Sequence, residues 1–399
     1  MRAVLALIAL LPLGGLVWYA VDEFDDAAEH ATAAAAMEAA APELSALALL
    51  DSQLSTESYW AGATASAAAL GVPIEFLEDI LGFDMVQRLR DAEAQVDEMV
   101  VQLQLEELVP SLEATRTLVA DSDLDSAPIN RAYDVVKSQL DQRNNTALFD
   151  LTRLSARVPG TDTATRSVEA LDLAVALRES ASAIATGYFE ARYPATTVEP
   201  PAVNDLVKHS VIYENRSARL SQLAAEDLRL QRAWEALSSD RYVVDLLERV
   251  GSSTGAVISL EPGASLTAEV NLATLDIEAE ATAFLDSLVA VDQHVEFVNA
   301  AAEVLSTAAA DIQAAADDAQ RDVIVTTGIV AALTLIAVAG AGWWIVRPLR
   351  RMADVASAMR EGHLGQHVIA TGPHEFRTAA AAINEAADHL KLAEQQAAQ

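Results

Sequence analysis

One segment, residues 323–346, constrains this chain more than any other because it contains no charged residue. At the ~1.5 Å rise per residue of an α-helix, it is long enough to cross a hydrocarbon core of ~30 Å. Arg347 and Arg350 follow it directly, and a basic cluster at the end of a span marks the cytoplasmic side. Trp343 and Trp344, just before the arginines, suit the membrane interface. The segment therefore predicts a membrane helix whose C-terminal end lies in the cytoplasm.

A second apolar run, residues 3–20, lies between Arg2 and a group of acidic residues that begins at Asp22, within a predicted first membrane helix at residues 1–20. Two interpretations fit it, a cleaved signal peptide and an uncleaved membrane anchor. A cleavage site at the end of this run would require a small residue where Trp18 stands, so the sequence favours the anchor. With two spans whose basic flanks both lie inside, we expect residues 21–322 to lie outside the cytoplasm.

The negative charge of the chain is concentrated between the two apolar runs. Residues 21–322 contain 19 Lys and Arg against 53 Asp and Glu, a net charge of −34, whereas residues 347–399 contain 6 of each kind. Such an acidic surface repels phosphate backbones, so we expect no nucleic-acid partner. Solubility or salt tolerance explains the charge as well as a role in ligand binding does. The chain has no Cys, which excludes disulfides and thiol chemistry.

The long segment between the apolar runs has a helical composition, rich in Ala, Leu, Glu, Gln and Arg. Gly and Pro gather at a few places, which predict breaks between about eight helices. No stretch alternates apolar and polar residues well enough to predict a sheet. We therefore expect an all-α fold of long up-and-down bundles, with the first and last helices as a stalk. Breaks are predicted near Pro42, Gly71, Gly82, 121–128, 159–160, 194–201, 238–240 and 251–263, and long helices at 84–108, 130–158, 202–237 and 265–321.

The chain after residue 346 predicts two short amphipathic helices joined by a connector. Each helix carries one apolar seam at coiled-coil spacing. A short helix cannot bury such a seam alone, so the sequence predicts a parallel homodimer with four helices around one core. Gly362 is expected to end the first helix, and Leu364 and Val368 to anchor the connector. The seams are Leu349, Met352, Ala356 and Met359 in the first helix and Phe376, Ala379, Ile383, Ala386 and Leu390 in the second.

This segment resembles a HAMP domain, the signal-relay module of bacterial transmembrane receptors. The family pattern has a Pro after the span, a Gly-acidic-Leu turn, an apolar connector residue, Asp-Glu at the start of the second helix and a later Phe-Asn pair. The matching positions are Pro348, Gly362-His363-Leu364, Val368, His374-Glu375 and Ile383-Asn384. The sequence departs from the pattern at His363, His374, Arg377, Ala379 and Ala386. The two alanines predict a thin core in the second helix, and the resemblance implies that residues 347–399 form a cytoplasmic relay domain.

The layout of the chain is also similar to that of nitrate- and nitrite-sensing receptors, which place a large helical region between two spans and before a relay module. In that family the first long helix carries a Gln-x-Glu-Arg motif that helps to form the anion site. The nearest stretch here is LDSQLSTESYW, in which Glu57 is followed by Ser58, so the arginine is missing. Glu214, Arg216 and Arg219 are loosely similar to a Glu-x-x-x-Arg helix of the same family. This resemblance would imply an anionic ligand.

Candidate ligand-binding residues are bulky aromatics and closely spaced arginines. Tyr59, Trp60 and Trp234 are large aromatic groups of the acidic segment, and a tryptophan there could cage a cation. Arg216 and Arg219 lie on one predicted helix face and could bind an anion. Core packing is the alternative role of the aromatics. The sequence does not decide between a cation and an anion, so a small-molecule ligand stays a hypothesis.

No arrangement typical of catalysis or of metal binding stands out in the sequence. Residues 121–125 begin like a calcium loop, but Ser126 and Ala132 occupy the positions that require Gly and Glu, which favours a helix cap or turn. The HEFRT motif at His374 resembles the phosphoacceptor box of sensor histidine kinases, yet Ala379 replaces its Pro. We therefore expect no enzymatic activity, no cofactor and no metal.

Together these features predict a dimeric two-pass protein of the cell membrane that transduces a signal. Residues 21–322 would sense an unknown stimulus, residues 323–346 would cross the lipid bilayer, and residues 347–399 would relay the signal. No output domain follows Leu390, so we expect a separate cytoplasmic output protein or a further domain downstream of this sequence. The alternative function is a structural envelope or scaffold protein with a HAMP-like tail.

Overall fold

The computed structural model describes residues 2–69, 73–120, 126–158, 162–192, 200–258, 277–363, 365–369 and 374–397. Every regular element in these ranges is a helix, which confirms the predicted all-α fold. The helices are α1 (Arg2–Ala69), α2 (Ile74–Leu81), α3 (Met85–Gln102), α4 (Val109–Ala120), α5 (Ser126–Ser155), α6 (Asp162–Arg192), α7 (Pro200–Ala224), α8 (Leu228–Ser239), α9 (Arg241–Ile258), α10 (Ile277–Arg360) and α11 (His374–Ala397). The chain divides into two units, Glu29–Ala315 on the one hand and Met1–Ala28 with Ala316–Gln399 on the other.

Several helix boundaries are set by a glycine or by a capping carboxylate. α2 ends before Gly82, whose φ of 73° is a left-handed conformation that glycine adopts without strain. Asp84 caps α3 by accepting a hydrogen bond from the Gln87 N–H at 2.7 Å. Asp240 caps α9 in the same way, with the Tyr242 N–H at 2.9 Å. The breaks predicted at these two places are confirmed.

The break predicted near Pro42 is wrong, because α1 continues through this residue. A proline inside a helix removes one backbone hydrogen bond and crowds the preceding turn. Ala41 and Leu44 beside it are buried, so tertiary packing holds the helix together against this cost. The helix predicted over 84–108 is also shorter than expected, since α3 ends at Gln102 and a 3₁₀ turn at Glu106–Leu108 follows.

The helix predicted over 202–237 is in fact two helices, α7 and α8. Asp227 caps α8 by accepting hydrogen bonds from the Arg229 and Leu230 N–H groups at 2.8 and 2.9 Å. No Gly or Pro marks this break, so composition alone did not reveal it. α9 extends to Ile258, beyond the break predicted from Gly251. Predicted breaks at Gly71, 121–125, 159–160, 194–199 and 259–263 lie outside the described residues.

The Glu29–Ala315 unit packs around a shared apolar core to which α1, α5, α6, α7 and α10 all contribute. Leu54 of α1, Leu171 of α6 and Leu305 of α10 are completely buried. Each such leucine removed from water contributes about 1.5–3 kcal/mol to folding. Because these helices come from distant parts of the sequence, the core also brings their polar side chains together.

Two helical stretches, Gly14–Ala65 and Thr282–Arg360, are long and apolar enough to cross a membrane. Of the most apolar window in the second stretch, 0% is buried within the protein, whereas 44% of the first window is buried. Leu335 and Ile336 are 64% and 68% exposed. A long apolar helix surface of this kind suits lipid contact, which supports a membrane protein.

Candidate functional site

The C-terminal module, residues 347–397, consists of a helical segment, a connector and a second helix. α10 runs through Pro348 and ends just before Gly362, whose φ of 87° is a left-handed conformation that favours glycine. Glu375 lies in the first turn of α11, where a negative side chain interacts favourably with the positive end of the helix dipole. Leu364, predicted to anchor the connector, lies outside the described residues.

Within one chain, a small apolar core joins α10, the connector and α11. It consists of Met352, Val355, Val368 and Ala380, which are buried, and Met359, Phe376 and Ile383, which are partly buried. Most of these residues belong to the predicted seams or to the predicted connector anchor. Sequence reasoning missed Val355 and Ala380, although both continue the three- and four-residue spacing of the seams.

The remaining seam residues are exposed in the single chain. Leu349 is 36% exposed and Leu390 is 51% exposed. The alanines at the same face, Ala356, Ala379 and Ala386, are exposed as well. Each helix of the module therefore presents two apolar faces, one used within the chain and one available to another molecule. The sequence pattern did not distinguish these two faces and assigned residues of both to one seam.

Asn384 holds the connector against α11 through two hydrogen bonds to one residue. Its Oδ1 accepts from the Val368 N–H at 2.7 Å, and its Nδ2 donates to the Val368 carbonyl at 2.9 Å. Val368 is only 4% exposed, so these backbone groups have little access to water. One turn later, the exposed His367 and Asp388 side chains approach to 3.0 Å. The amide of Asn384 thus satisfies the backbone of the buried connector residue.

In the Glu29–Ala315 unit, a buried ion-pair cluster surrounds Glu57 of α1. The Glu57 side chain is completely buried and binds the Arg116 guanidinium at two points, Nε to Oε1 at 2.8 Å and Nη2 to Oε2 at 2.9 Å. The Tyr133 hydroxyl donates to Oε1 at 2.8 Å. Burial and the nearby Glu57 carboxylate raise the pKa of Tyr133, so its hydroxyl remains a donor. The arginine missing beside Glu57 in the sequence is thus supplied by α4.

A second buried cluster centres on Arg178 of α6, which forms an ion pair with Asp51 of α1. Both side chains are almost fully buried. Asp141 of α5 faces the same pair, and burial together with the Asp51 charge raises the pKa of Asp141 to about 6. Beside them, the Ser55 and Ser182 hydroxyls are hydrogen-bonded at 2.9 Å. The cluster places α1, α5 and α6 around the Arg178 guanidinium, with the Asp51 and Asp141 carboxyl groups beside it.

Glu179 adds pH-dependent stability to this cluster. Burial and the neighbouring Asp141 raise the pKa of Glu179 from 4.5 to about 7, while Asp51 raises it further and Arg178 and Arg216 oppose the shift. A raised folded-state pKa contributes stability that is present below pH ~4.5 and is lost as the pH rises through ~7. We expect Glu179→Gln to remove this loss, which amounts to about 1–3 kcal/mol.

The measurement is thermal unfolding of the full-length protein between pH 5 and pH 8. The stability of Glu179→Gln relative to the natural protein is expected to increase across this range. Glu113→Gln, a change at an exposed glutamate of α4, is the control and should leave the difference constant. Parallel pH profiles for Glu179→Gln and the natural protein would contradict the assignment.

α1 and α10, the helices that contain the membrane-length apolar stretches, are linked directly inside the Glu29–Ala315 unit. The Ser52 hydroxyl of α1 donates to the Asp292 carboxylate of α10 at 2.8 Å. Burial raises the pKa of Asp292, and the hydrogen bond from Ser52 opposes that shift. A displacement of one helix along the other would break this contact.

His294 of α10 connects the same helix to α7. Its Nδ1 lies 2.7 Å from the Ala290 carbonyl, which can only accept, so Nδ1 carries the proton. Nε2 is then an acceptor, and the Tyr213 hydroxyl donates to it at 2.9 Å. Burial lowers the pKa of His294 to about 4, so the imidazole is neutral at physiological pH.

Tyr59 and Trp60, two predicted ligand residues, lie in an aromatic cluster. The centroid of the Trp60 ring lies 5.5 Å from that of Phe83 and 5.2 Å from that of Phe284. The ring centroids of Tyr59 and Phe284 are 3.8 Å apart. Trp60 is 5% exposed. These contacts correspond to the alternative interpretation, core packing.

Arg216 and Arg219, the predicted anion-binding pair, each bind an acceptor of α6. The Arg216 guanidinium donates to the Ala176 carbonyl at 2.8 Å, and Arg219 pairs with the Glu169 carboxylate at 2.7 Å. Both contacts join α7 to α6. The pair therefore contributes to helix packing in this structure.

Trp234, the remaining predicted ligand residue, lines a cleft of about 380 Å³ between α7, α8 and α9. Its ring also packs edge-on against Phe297 of α10, with 5.8 Å between centroids. The described residues contain no group of His, Asp or Glu side chains arranged to hold a metal ion. Unlike Tyr59 and Trp60, which pack in the aromatic cluster, Trp234 therefore lines a cleft.

Comparison with known proteins gives one family match. The family model of the HAMP domain matches residues 340–392, which include the end of the apolar segment, the connector and most of α11. No curated protein and no solved structure matches the chain. The match agrees with the resemblance found in the sequence.

Proposed function

We propose, from the HAMP domain that this chain carries at residues 340–392, that it is a transmembrane signal-transduction protein whose acidic segment, residues 21–322, is its sensor. In this proposal both apolar runs cross the membrane and the sensor lies outside the cytoplasm. The observation that carries it is the continuity of α10 from Ile277 to Arg360. A single helix thus contains sensor contacts, the apolar segment and the first helix of the HAMP domain.

α10 is suited to mechanical transmission. α10 stays helical through Pro348, so in this proposal a shift or rotation imposed on its sensor end is carried along the helix towards the HAMP domain. Asp292 and His294 connect this helix to α1 and α7 within the sensor. Met352 and Val355 of the same helix belong to the core of the HAMP domain. A stimulus that changes the sensor contacts of α10 would therefore bias the packing of that core.

The exposed seam supports a parallel homodimer. Leu349, Ala356, Ala379, Ala386 and Leu390 form apolar positions that a single chain leaves exposed. A second copy placed in parallel would cover these positions with their own counterparts and complete a four-helix core. The alanines keep this core thin, so a few kcal/mol would suffice to shift it between two packings.

The signal would then pass to a separate cytoplasmic protein or to a further domain. We assign the chain no enzymatic step in this sequence of events. A structural envelope protein with a HAMP-like tail is the second candidate, and it would have no need of a seam that changes its packing.

Cysteine cross-linking tests the proposal, because the natural chain contains no Cys. In the full-length protein in membranes, Leu390→Cys is expected to cross-link to its counterpart, whereas Ala381→Cys on the opposite helix face is not. Adding Ala386→Leu enlarges the core and should change the extent of Leu390→Cys cross-linking by several-fold, because one packing is then favoured.

The control adds Ala381→Leu instead of Ala386→Leu and should leave cross-linking unchanged. Equal cross-linking at the seam and at the opposite face would argue against the dimer. Cross-linking at the seam that does not respond to Ala386→Leu would favour a structural role over signal relay.

A further inference from the structure

We propose that the cleft between α7, α8 and α9 is a binding site for a small organic cation, an amine or quaternary ammonium compound. This inference names the ligand class of the sensor and therefore rests on the proposed function. The cleft measures about 380 Å³, which lies in the ~300–1,000 Å³ range of small-molecule sites.

The walls of the cleft combine apolar groups with polar groups. Trp234, Tyr213 and Leu247 supply aromatic and aliphatic surface, and Ser210 and Glu214 supply oxygen atoms. An aromatic ring attracts a cation through the negative charge on its face, with Trp the strongest of the side chains. The apolar surface removes carbon groups of the ligand from water.

The charges around the cleft favour a cation over an anion. Glu214 is the charged residue among those that line it, and no Lys or Arg lines it among the described residues. The structure shows no ion-pair partner for Glu214 within the described part of the chain. Arg216, two positions away, donates to the Ala176 carbonyl of α6. Residues 21–322 carry a net charge of −34, which attracts cations to the sensor as a whole.

The protonation of His294 determines what Tyr213 offers to a ligand. Because Nδ1 of His294 carries the proton, the Tyr213 hydroxyl donates its hydrogen bond to Nε2. The phenolic oxygen then has only lone pairs to present, so it can accept from an N–H group or face a positive charge. Burial raises the pKa of Tyr213, which keeps the hydroxyl protonated in this role.

The same side chains connect the cleft to α10. Tyr213 contacts His294, and Trp234 packs against Phe297, one turn further along that helix. A cation that orders or shifts either aromatic ring would alter its contact with α10. The cleft therefore lies where ligand binding can act on the helix that enters the HAMP domain.

Binding of choline to the full-length protein in nanodiscs, measured by calorimetry, tests the site. The matched neutral compound is 3,3-dimethylbutan-1-ol, which has the same shape without the charge. We expect choline to bind ~10-fold or more tightly than this alcohol, since a desolvated cation–π contact is worth ~1–2 kcal/mol. Trp234→Leu should weaken choline binding by a similar factor, and Glu214→Gln, at an exposed carboxylate, by ~2–5-fold.

Glu235→Gln is the control, because Glu235 lies on α8 beside Trp234 but does not line the cleft. It should bind choline like the natural protein. Glu214 is exposed, so Glu214→Gln decides the question even if Trp234→Leu fails to fold. Equal binding of choline and the alcohol, no binding of choline, or full affinity in Glu214→Gln would overturn the proposal. The response of Leu390→Cys cross-linking to Ala386→Leu is independent of choline, so failure of the cleft would be distinguishable from failure of the proposed function.

Discussion

Arg116→Met is expected to lower the free energy of unfolding by about 3–5 kcal/mol, because it leaves the Glu57 carboxylate buried without its counter-charge. Glu57 has no exposed surface, and the Arg116 side chain is 20% exposed. The substitution removes both strong hydrogen bonds of the pair and, within the described part of the chain, leaves Tyr133 as the donor to Glu57. A buried carboxylate with one neutral hydrogen-bond donor destabilises the folded state far more than the buried ion pair does.

Unfolding of the full-length protein by heat or denaturant at pH 7 gives the measurement. Arg143→Met is the matched control, since Arg143 and Glu43 are 53% and 43% exposed, and an exposed pair is worth about 0–1 kcal/mol. Adding Glu57→Gln to Arg116→Met should recover much of the loss, because the buried group is then neutral. If Arg116→Met costs no more than Arg143→Met, the buried cluster does not have the energetic role assigned to it.

Asn384→Leu is expected to release the connector from α11. It removes two hydrogen bonds at once and leaves the N–H and carbonyl of Val368 unsatisfied, at a cost of about 1–3 kcal/mol for each group. The leucine is close in size to asparagine, so loss of packing contributes little. We expect the backbone amide of Val368 to exchange its hydrogen at least ~10-fold faster, since ~1.4 kcal/mol corresponds to a factor of ten.

Hydrogen exchange of the full-length protein in nanodiscs, followed by mass spectrometry of connector peptides, measures this effect. His367→Ala is the control, because it removes the exposed contact with Asp388 on the same connector and helix. It should change exchange by less than ~3-fold. Unchanged protection of the connector in Asn384→Leu would show that the apolar anchor Val368 alone holds it in place.

The C-terminal module was predictable because its constraints are local. The three- and four-residue spacing of a coiled coil selected Met352, Phe376 and Ile383, and Gly362 marked the end of a helix. Spacing could not separate the face used within the chain from the face left exposed, since both lie within one broad apolar stripe. Ala380 and Ala387 are buried, whereas the predicted seam residues Ala379 and Ala386 are exposed. The buried face of α11 is thus shifted by one residue from the predicted seam, and only packing decides this shift.

The Glu29–Ala315 unit was less predictable because its polar contacts join distant parts of the chain. Ser58 argued against an anion motif at Glu57, yet Arg116 reaches that carboxylate from 59 positions away. Tyr133, Asp292 and His294 gave no signal in the sequence for the same reason. Of the predicted ligand residues, Tyr59 and Trp60 pack in an aromatic cluster, whereas Trp234 lines a cavity.

The sequence by itself determined the helical class, the apolar segment and the relay module, because hydrophobic periodicity, length and turn residues act over one or two helical turns. It also determined the acidic charge of residues 21–322, because a net charge follows from the sequence without any fold. Only the tertiary structure decided which buried acids meet arginines, which aromatics remain open to a ligand, and which helices touch α10. These contacts depend on helix packing, because the partner of each side chain lies on another helix. The separation of two residues along the chain therefore does not predict whether they meet.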